Sequence, residues 1–407
     1  MKIETLKRGY AKVIVGAGVD VKKDQLVHIT CPVQLADFAT LVAEEAFLCG
    51  AKDVDIEYTD TNFAKVRLLN ASDEALQNPP KYKLDQRLYY TEKGSALITL
   101  ALVDPNSMTG VDVKKTMLSS TALRALLEGA NRFMFSNQCT FTLCCVPEQT
   151  WADIVFPNEK NSLEKLWDIV CTACRVKEEA PIESWKNFNS QIKQRGNMLS
   201  ELKIRELNFK NSLGTDLSMK LVDNHLWSGG GISWGDKTFF PNIPTEEIFT
   251  SPHRMHVDGI AIASMPLVYN GNLIKDFWIK FKDGKVSEFD AKQGKELLQS
   301  IINTDDGSAR LGEVALVQHN SPISKLNTLF YSTLFDENAA CHIALGNAYT
   351  NTLKNSRGMT KEQLEENGLN VSKVHVDFMI GTYDMEIIAI NDKSEKIKIF
   401  TNGNWAI

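Results

Sequence analysis

The chain has 407 residues, 43% of them hydrophobic and 24% charged, with a formal net charge of −6. That apolar share supports folded cores and excludes disorder as the main state. The acidic balance argues against nucleic-acid binding, which usually rests on a basic surplus.

At roughly 100–200 residues per domain, this length predicts two or three domains. No apolar run reaches the roughly 18 residues that a membrane-spanning helix requires. The opening MKIETLKRGYAK has no apolar core and no small-residue cleavage site, so a secretory signal is not expected and a cytoplasmic location is. Eight cysteines are too sparse for a disulfide scaffold and sit in apolar or helical surroundings.

In chain order, residues 10–19 have the pattern of an amphipathic helix and Gln25–Thr30 that of a strand. LADFATLVAEEAFLCG predicts a helix with Gly50 at its C-cap. VDIEY (54–58) is a strand and FAKVRLLNAS (63–72) a helix. ALITLALVD (96–104) and TFTLCCVP (140–147) are apolar runs of the kind buried on both faces, with a helix between them. This alternation predicts an α/β domain with a mainly parallel sheet.

Two tempting motifs fall in that half. VGAGVD (15–20) lacks the third glycine of a dinucleotide fingerprint and follows a helical run. Cys171 and Cys174 form a CxxC inside a helical pattern, with no second pair to complete a zinc site, so helix packing is the better reading.

Residues 151–200 are charged and helical, broken by Pro181. Beyond 200 short strand patterns follow one another, with turn signals at Asn270-Gly271, Asp283-Gly284 and Asn402-Gly403. We expect an α/β domain over 1–200 and a β-rich α+β domain over 201–407.

Five of the seven histidines lie between 253 and 375, and four constellations there carry chemistry. In VHVDFMIG, His375 and Asp377 point to one face of a strand, which is costly to bury unless they pair or bind metal. LFDENAACHIALGNAY, taken as a helix capped by Asp336, aligns Asn338, His342 and Tyr349 on one face. Glu313 opens the apolar strand of RLGEVALVQH, where it needs either strand-end solvation or a partner; His319 lies at that strand's far end and is not expected as a ligand. Glu246 and Glu247 sit between Pro244 and Pro252 in an extended segment, so only one can face a site.

Together these offer carboxylates and imidazoles suited to zinc, cobalt or manganese. Two such ions polarise a carbonyl and activate a water, which is hydrolase chemistry. The usual single-zinc motif HExxH is missing.

At the same segments the sequence resembles the thermophilic-type metalloaminopeptidases, the aminopeptidase T and aminopeptidase S (PepS) family. NIPTEEIFTSPHR, NTDDGSARLGEVALV, SPIS, FYSTLFDENAACHIALGNAY, HVDFMIG and the ending NGNWAI are similar to family blocks in the family's order. The resemblance implies a two-metal site with ligands at Glu247, Glu313, His342, His375 and Asp377, Glu313 bridging, and Tyr349 beside the metals. It also implies homodimers that remove N-terminal residues from peptides with a free N-terminus. Tyr349 would bind a metal or donate to the oxyanion, and Glu246 is the candidate general base. Met255-His256 departs from the acidic–basic pair expected of the family; His256 is expected at the surface. Rival readings are a metal-dependent esterase or amidase, and a non-catalytic peptide-binding protein on the same scaffold.

Overall fold

The computed structural model describes residues 1–136 and 138–407. The chain divides into two compact units, residues 1–189 with 231–245, and residues 190–230 with 246–407.

The first unit is the expected α/β layer structure. Helix α1 (Ile3–Val13) runs into a π-helical turn over Ile14–Gly18, the segment of the VGAGVD motif. Strand β1 (Leu26–Pro32), helix α2 (Ala36–Leu48) and strand β2 (Asp53–Thr59) follow, then β3 (Ala96–Ala101) and β4 (Thr140–Cys145). Gly50, with φ +93°, follows the end of α2 and takes the left-handed backbone that ends the helix. Asp60 starts the next helix by accepting the N–H groups of Asn62 and Phe63. All pairings of the sheet are parallel, in the order β4-β3-β1-β2, with the short strand Asn242–Ile243 beside β4.

Tyr10, Phe38 and Trp167 meet in the core, and burial of each large side chain contributes about 1.5–3 kcal/mol. Cys171 and Cys174 are buried there too. Desolvation pushes the Cys171 thiol up to about 12 and the Cys174 thiol well above its ordinary value, as for packed rather than reactive cysteines.

The second unit is β-rich. A nine-stranded sheet contains the three turns read from sequence. Asn270-Gly271, Asp283-Gly284 and Asn402-Gly403 all have two successive positive φ values, the geometry that matches a two-residue hairpin to strand twist. A separate five-stranded sheet holds β5 (Ile248–Thr250), β6 (Leu311–Leu316), β7 (His342–Gly346) and β8 (His375–Met379), in the order β8-β7-β6-β5, with Ser228–Gly229 at the far edge. β6, β7 and β8 pair antiparallel.

The helix expected from Asp336 through Tyr349 is not formed. A single turn, Thr333–Asp336, passes into a 3-10 turn at Glu337–Ala339, and Ala340 is fully extended. The Asp336 carboxylate is spent upstream, accepting the N–H groups of Phe330 and Ser332, so it caps nothing that follows. Cross-strand bonds to both neighbours then hold His342–Gly346 as a central strand, overriding the helical spacing. Glu313 likewise does not open its strand but lies third in β6, and it is 3% exposed, which removes strand-end solvation as its partner.

The glycine-rich 229–237 segment divides in two. Gly229, at φ +152°, pairs with Ile248, and a Cβ there would lie 2.4 Å from the Glu247 carbonyl oxygen. Ile232–Trp234 and Lys237–Phe239 form a separate two-stranded hairpin. Among the described residues no helix is long and apolar enough to cross a membrane.

Candidate metal centre

Strand register assembles the site. Glu313 on β6 lies opposite Ala344 on β7, and Ala344 lies opposite Asp377 on β8. His342 faces Ala315 on one side and Met379 on the other, and His375 faces Gly346. With a period of two, His342, Ala344 and Gly346 share one face, as do His375 and Asp377. Small residues at Ala315, Ala344 and Gly346 leave room for longer polar side chains to converge above the sheet. Gly346 also has φ +102°, and a Cβ there would lie 2.1 Å from the Val374 carbonyl oxygen.

The resulting distances are short. His342 Nε2 is 3.0 Å from Glu247 Oε2 and 3.6 Å from Glu313 Oε1. His375 Nε2 is 3.7 Å from Glu313 Oε2 and 3.3 Å from Asp377 Oδ1. Two groups of potential donors result, Glu247 with Glu313 and His342, and Glu313 with His375 and Asp377. Glu313 belongs to both and turns one oxygen towards each histidine.

Each imidazole is oriented by a backbone carbonyl. His342 Nδ1 lies 3.1 Å from the Ala340 oxygen and His375 Nδ1 2.7 Å from the Asn347 oxygen. A carbonyl only accepts, so each Nδ1 carries the proton and each Nε2 points into the cluster, the arrangement common behind metal-bound histidines. Although Glu247 comes close, His342 Nε2 makes no hydrogen bond, and neither does Glu313 Oε2; both atoms are buried. Buried polar atoms left without a hydrogen bond in this donor set fit a divalent cation.

Charge balance points the same way. Desolvation pushes the Glu313 carboxyl up to about 7. Burial opposes protonation of His375, yet Asp377 and Glu313 outweigh it and push the imidazole up to about 10. His342 is raised well above its ordinary value against the same desolvation, by Glu247 and Glu313. For Asp377, His375 overcomes burial and holds the carboxyl below its usual range. Without a cation, protons on the histidines offset the clustered carboxylates.

A further carboxylate stands here that the sequence reading did not select. Glu337, on the 3-10 turn before β7, is buried, and desolvation pushes its carboxyl well above the usual range. Asp377, Glu247 and Glu313 push it in the same direction. Its signal was the acidic run Asp336-Glu337 a few residues before His342, and the expected helix face aligned Asn338 rather than Glu337 with that histidine.

Tyr349 follows β7 rather than sharing a helix face with His342, and its ring centroid is 4.7 Å from that of His375. The residue is 47% exposed. Desolvation and then Glu313, Asp377, Glu247 and Glu337 hold its phenol well above the ordinary value, so it keeps its proton. Phe249 packs against it at 5.6 Å. Glu246 is half-buried, and its N–H donates to Asn338 Oδ1 at 2.7 Å. His319 lies outside the cluster, 3.4 Å from Ser324 Oγ. His256 is exposed, with its ring beside His253.

Comparison with known proteins identifies the family and the fold. A family model described as thermophilic metalloprotease (M29) matches residues 3–405. Aminopeptidase 2 of Geobacillus stearothermophilus is 37% identical over 401 residues, covering 98% of this chain and 97% of its own. Aminopeptidase AmpS of Bacillus subtilis is 36% identical with the same coverage. The solved structure of wild-type AmpT from Thermus thermophilus superposes with a TM-score of 0.90 at 32% identity, over 99% of each chain. With the family matched from end to end and the fold shared, the chain belongs to the thermophilic metalloprotease (M29) family.

Proposed function

We propose that this chain, a metalloaminopeptidase of that family, removes N-terminal residues from peptides by means of two divalent ions held at the cluster. The observation that carries the reading is Glu313, buried at the junction of the two donor groups with one oxygen towards each histidine. Glu247 and His342 would complete the first group, and His375 and Asp377 the second. Zinc, cobalt and manganese all accept such donors.

Bound there, two ions supply Lewis acidity to the scissile carbonyl and acidify a water. The chain's own side chains do the rest. His342 and His375 are held in one tautomer by the Ala340 and Asn347 carbonyls. The carboxylates favour a positively charged guest, which suits a free α-amine. Tyr349, keeping its proton, donates a hydrogen bond to the developing oxyanion. We assign proton transfer to the leaving amine to Glu246. A homodimer and a cytoplasmic location complete the proposal, supported respectively by the family resemblance and by a cysteine content too sparse for a disulfide scaffold.

The test compares a short peptide with its N-acetylated form. Release of free amino acids only from the unblocked peptide supports an aminopeptidase; equal cleavage of both, or of simple esters alone, favours an amidase or esterase. Metal uptake with no cleavage at all leaves a peptide-binding protein.

A further inference from the structure

We infer that Asn338 is a positioning residue for the first of the two ions, an inference that rests on the two-ion reading above. Asn338 is fully buried on the 3-10 turn that also carries Glu337. Its Oδ1 accepts the Glu246 N–H at 2.7 Å, across 92 residues of sequence. Its Nδ2 donates to the Leu334 carbonyl at 2.8 Å and to Glu337 Oε1 at 3.3 Å. The backbone N–H of Glu246 demands an acceptor, so the amide cannot flip, and its nitrogen is left facing Glu337.

One side chain thus ties the segment carrying Glu247 to the turn carrying Glu337. Glu247 belongs to the first donor group. The second group is held differently, by the β6–β7–β8 register and the Asn347 carbonyl. Loss of the amide therefore frees the segment carrying Glu247 while leaving the strand pairing of His375 and Asp377 in place. A residue that merely filled space would not divide the two groups in this way.

The experiment titrates the full-length, chelator-stripped chain with Co²⁺ alone by calorimetry, as wild type and as Asn338→Leu, which keeps the approximate volume without either hydrogen bond or any added charge. Two binding steps are expected in both, one of them weakened by about 10-fold or more in the variant, the range of supporting contacts behind metal ligands, and the other unchanged. Should Asn338→Leu not fold, Asn338→Ser takes its place. Two unchanged steps, or two steps weakened alike, overturn the inference. A wild type lacking a second step removes the two-ion reading and this inference with it, whereas two wild-type steps beside an unaffected variant remove this inference alone.

Discussion

Glu313 and Asp377 stand on either side of Ala344 in a single row across three antiparallel strands. The alanine between them is fully buried and has no side chain beyond Cβ, so two carboxylates approach each other over it. Like charges this close repel unless protons or a cation offset them. The row suits an ion, and several consequences of the two-ion reading can be measured.

Glu313→Gln keeps the shape of a buried side chain but cannot present two anionic oxygens to two partners. We expect kcat/KM to fall by about 10³-fold, roughly 4 kcal/mol of transition-state stabilisation, with the far-ultraviolet circular dichroism unchanged. Near wild-type turnover in a folded, metal-loaded variant would remove Glu313 from the centre of the mechanism.

Ala344→Val places two methyl groups in the row between Glu313 and Asp377. Overpacking at such a site costs about 1–3 kcal/mol, and the carboxylates are pushed apart. Denaturant unfolding should show the loss of stability, and metal analysis a reduced ion content. A variant that holds its ions as tightly as the parent would show that the row does not set the spacing.

Removal of metal by a chelator should abolish peptide cleavage, and cobalt or zinc should restore it. The histidines of the stripped chain carry protons that ions must displace, so reloading in weak buffer should release protons. Activity that survives complete stripping contradicts the reading.

The stripped and loaded chains should also differ in their response to pH. His375 is pushed up to about 10 from 6.5, so its share of the stability is complete below about 6.5 and is lost as pH rises through 10. Glu313, raised to about 7 from 4.5, behaves in the same sense, its share complete below 4.5 and lost as pH rises through 7. Ions compete with those protons, so the gain in Tm on loading should widen between pH 6 and pH 9, taken as roughly the window these two shifts define. A constant gap, measured by scanning calorimetry, would count against proton–metal exchange at these side chains.

Tyr349→Phe separates two roles. The phenol keeps its proton, so we expect it to act as a donor: kcat should drop by about 10²-fold while ion content stays at the parent value. Loss of an ion in this variant would make the tyrosine a ligand instead.

Much of this molecule was legible in short stretches of sequence. Asn270-Gly271, Asp283-Gly284 and Asn402-Gly403 adopt their hairpin geometry because two successive positive φ values are favourable for few other residue pairs. The buried parallel strands β3 and β4 were visible as continuous apolar runs. His375 and Asp377, two apart on a strand, declared their common face through the period of the pleat alone.

Local patterns misjudged the segment from Asp336 to Tyr349. Spacing alone allowed a helix there, and only pairing of His342–Gly346 with β6 and β8 made it a strand. That pairing also decided that Glu337 joins the carboxylates and that Asn338 reaches Glu246. The return of residues 231–245 to the first unit has no compositional signal either. Dihedral preferences act over a few neighbouring residues, so turns, strands and ligand types are written locally. Which side chains meet depends on the register between strands tens of residues apart, and that is settled only when the sheet closes and its buried polar groups must find partners.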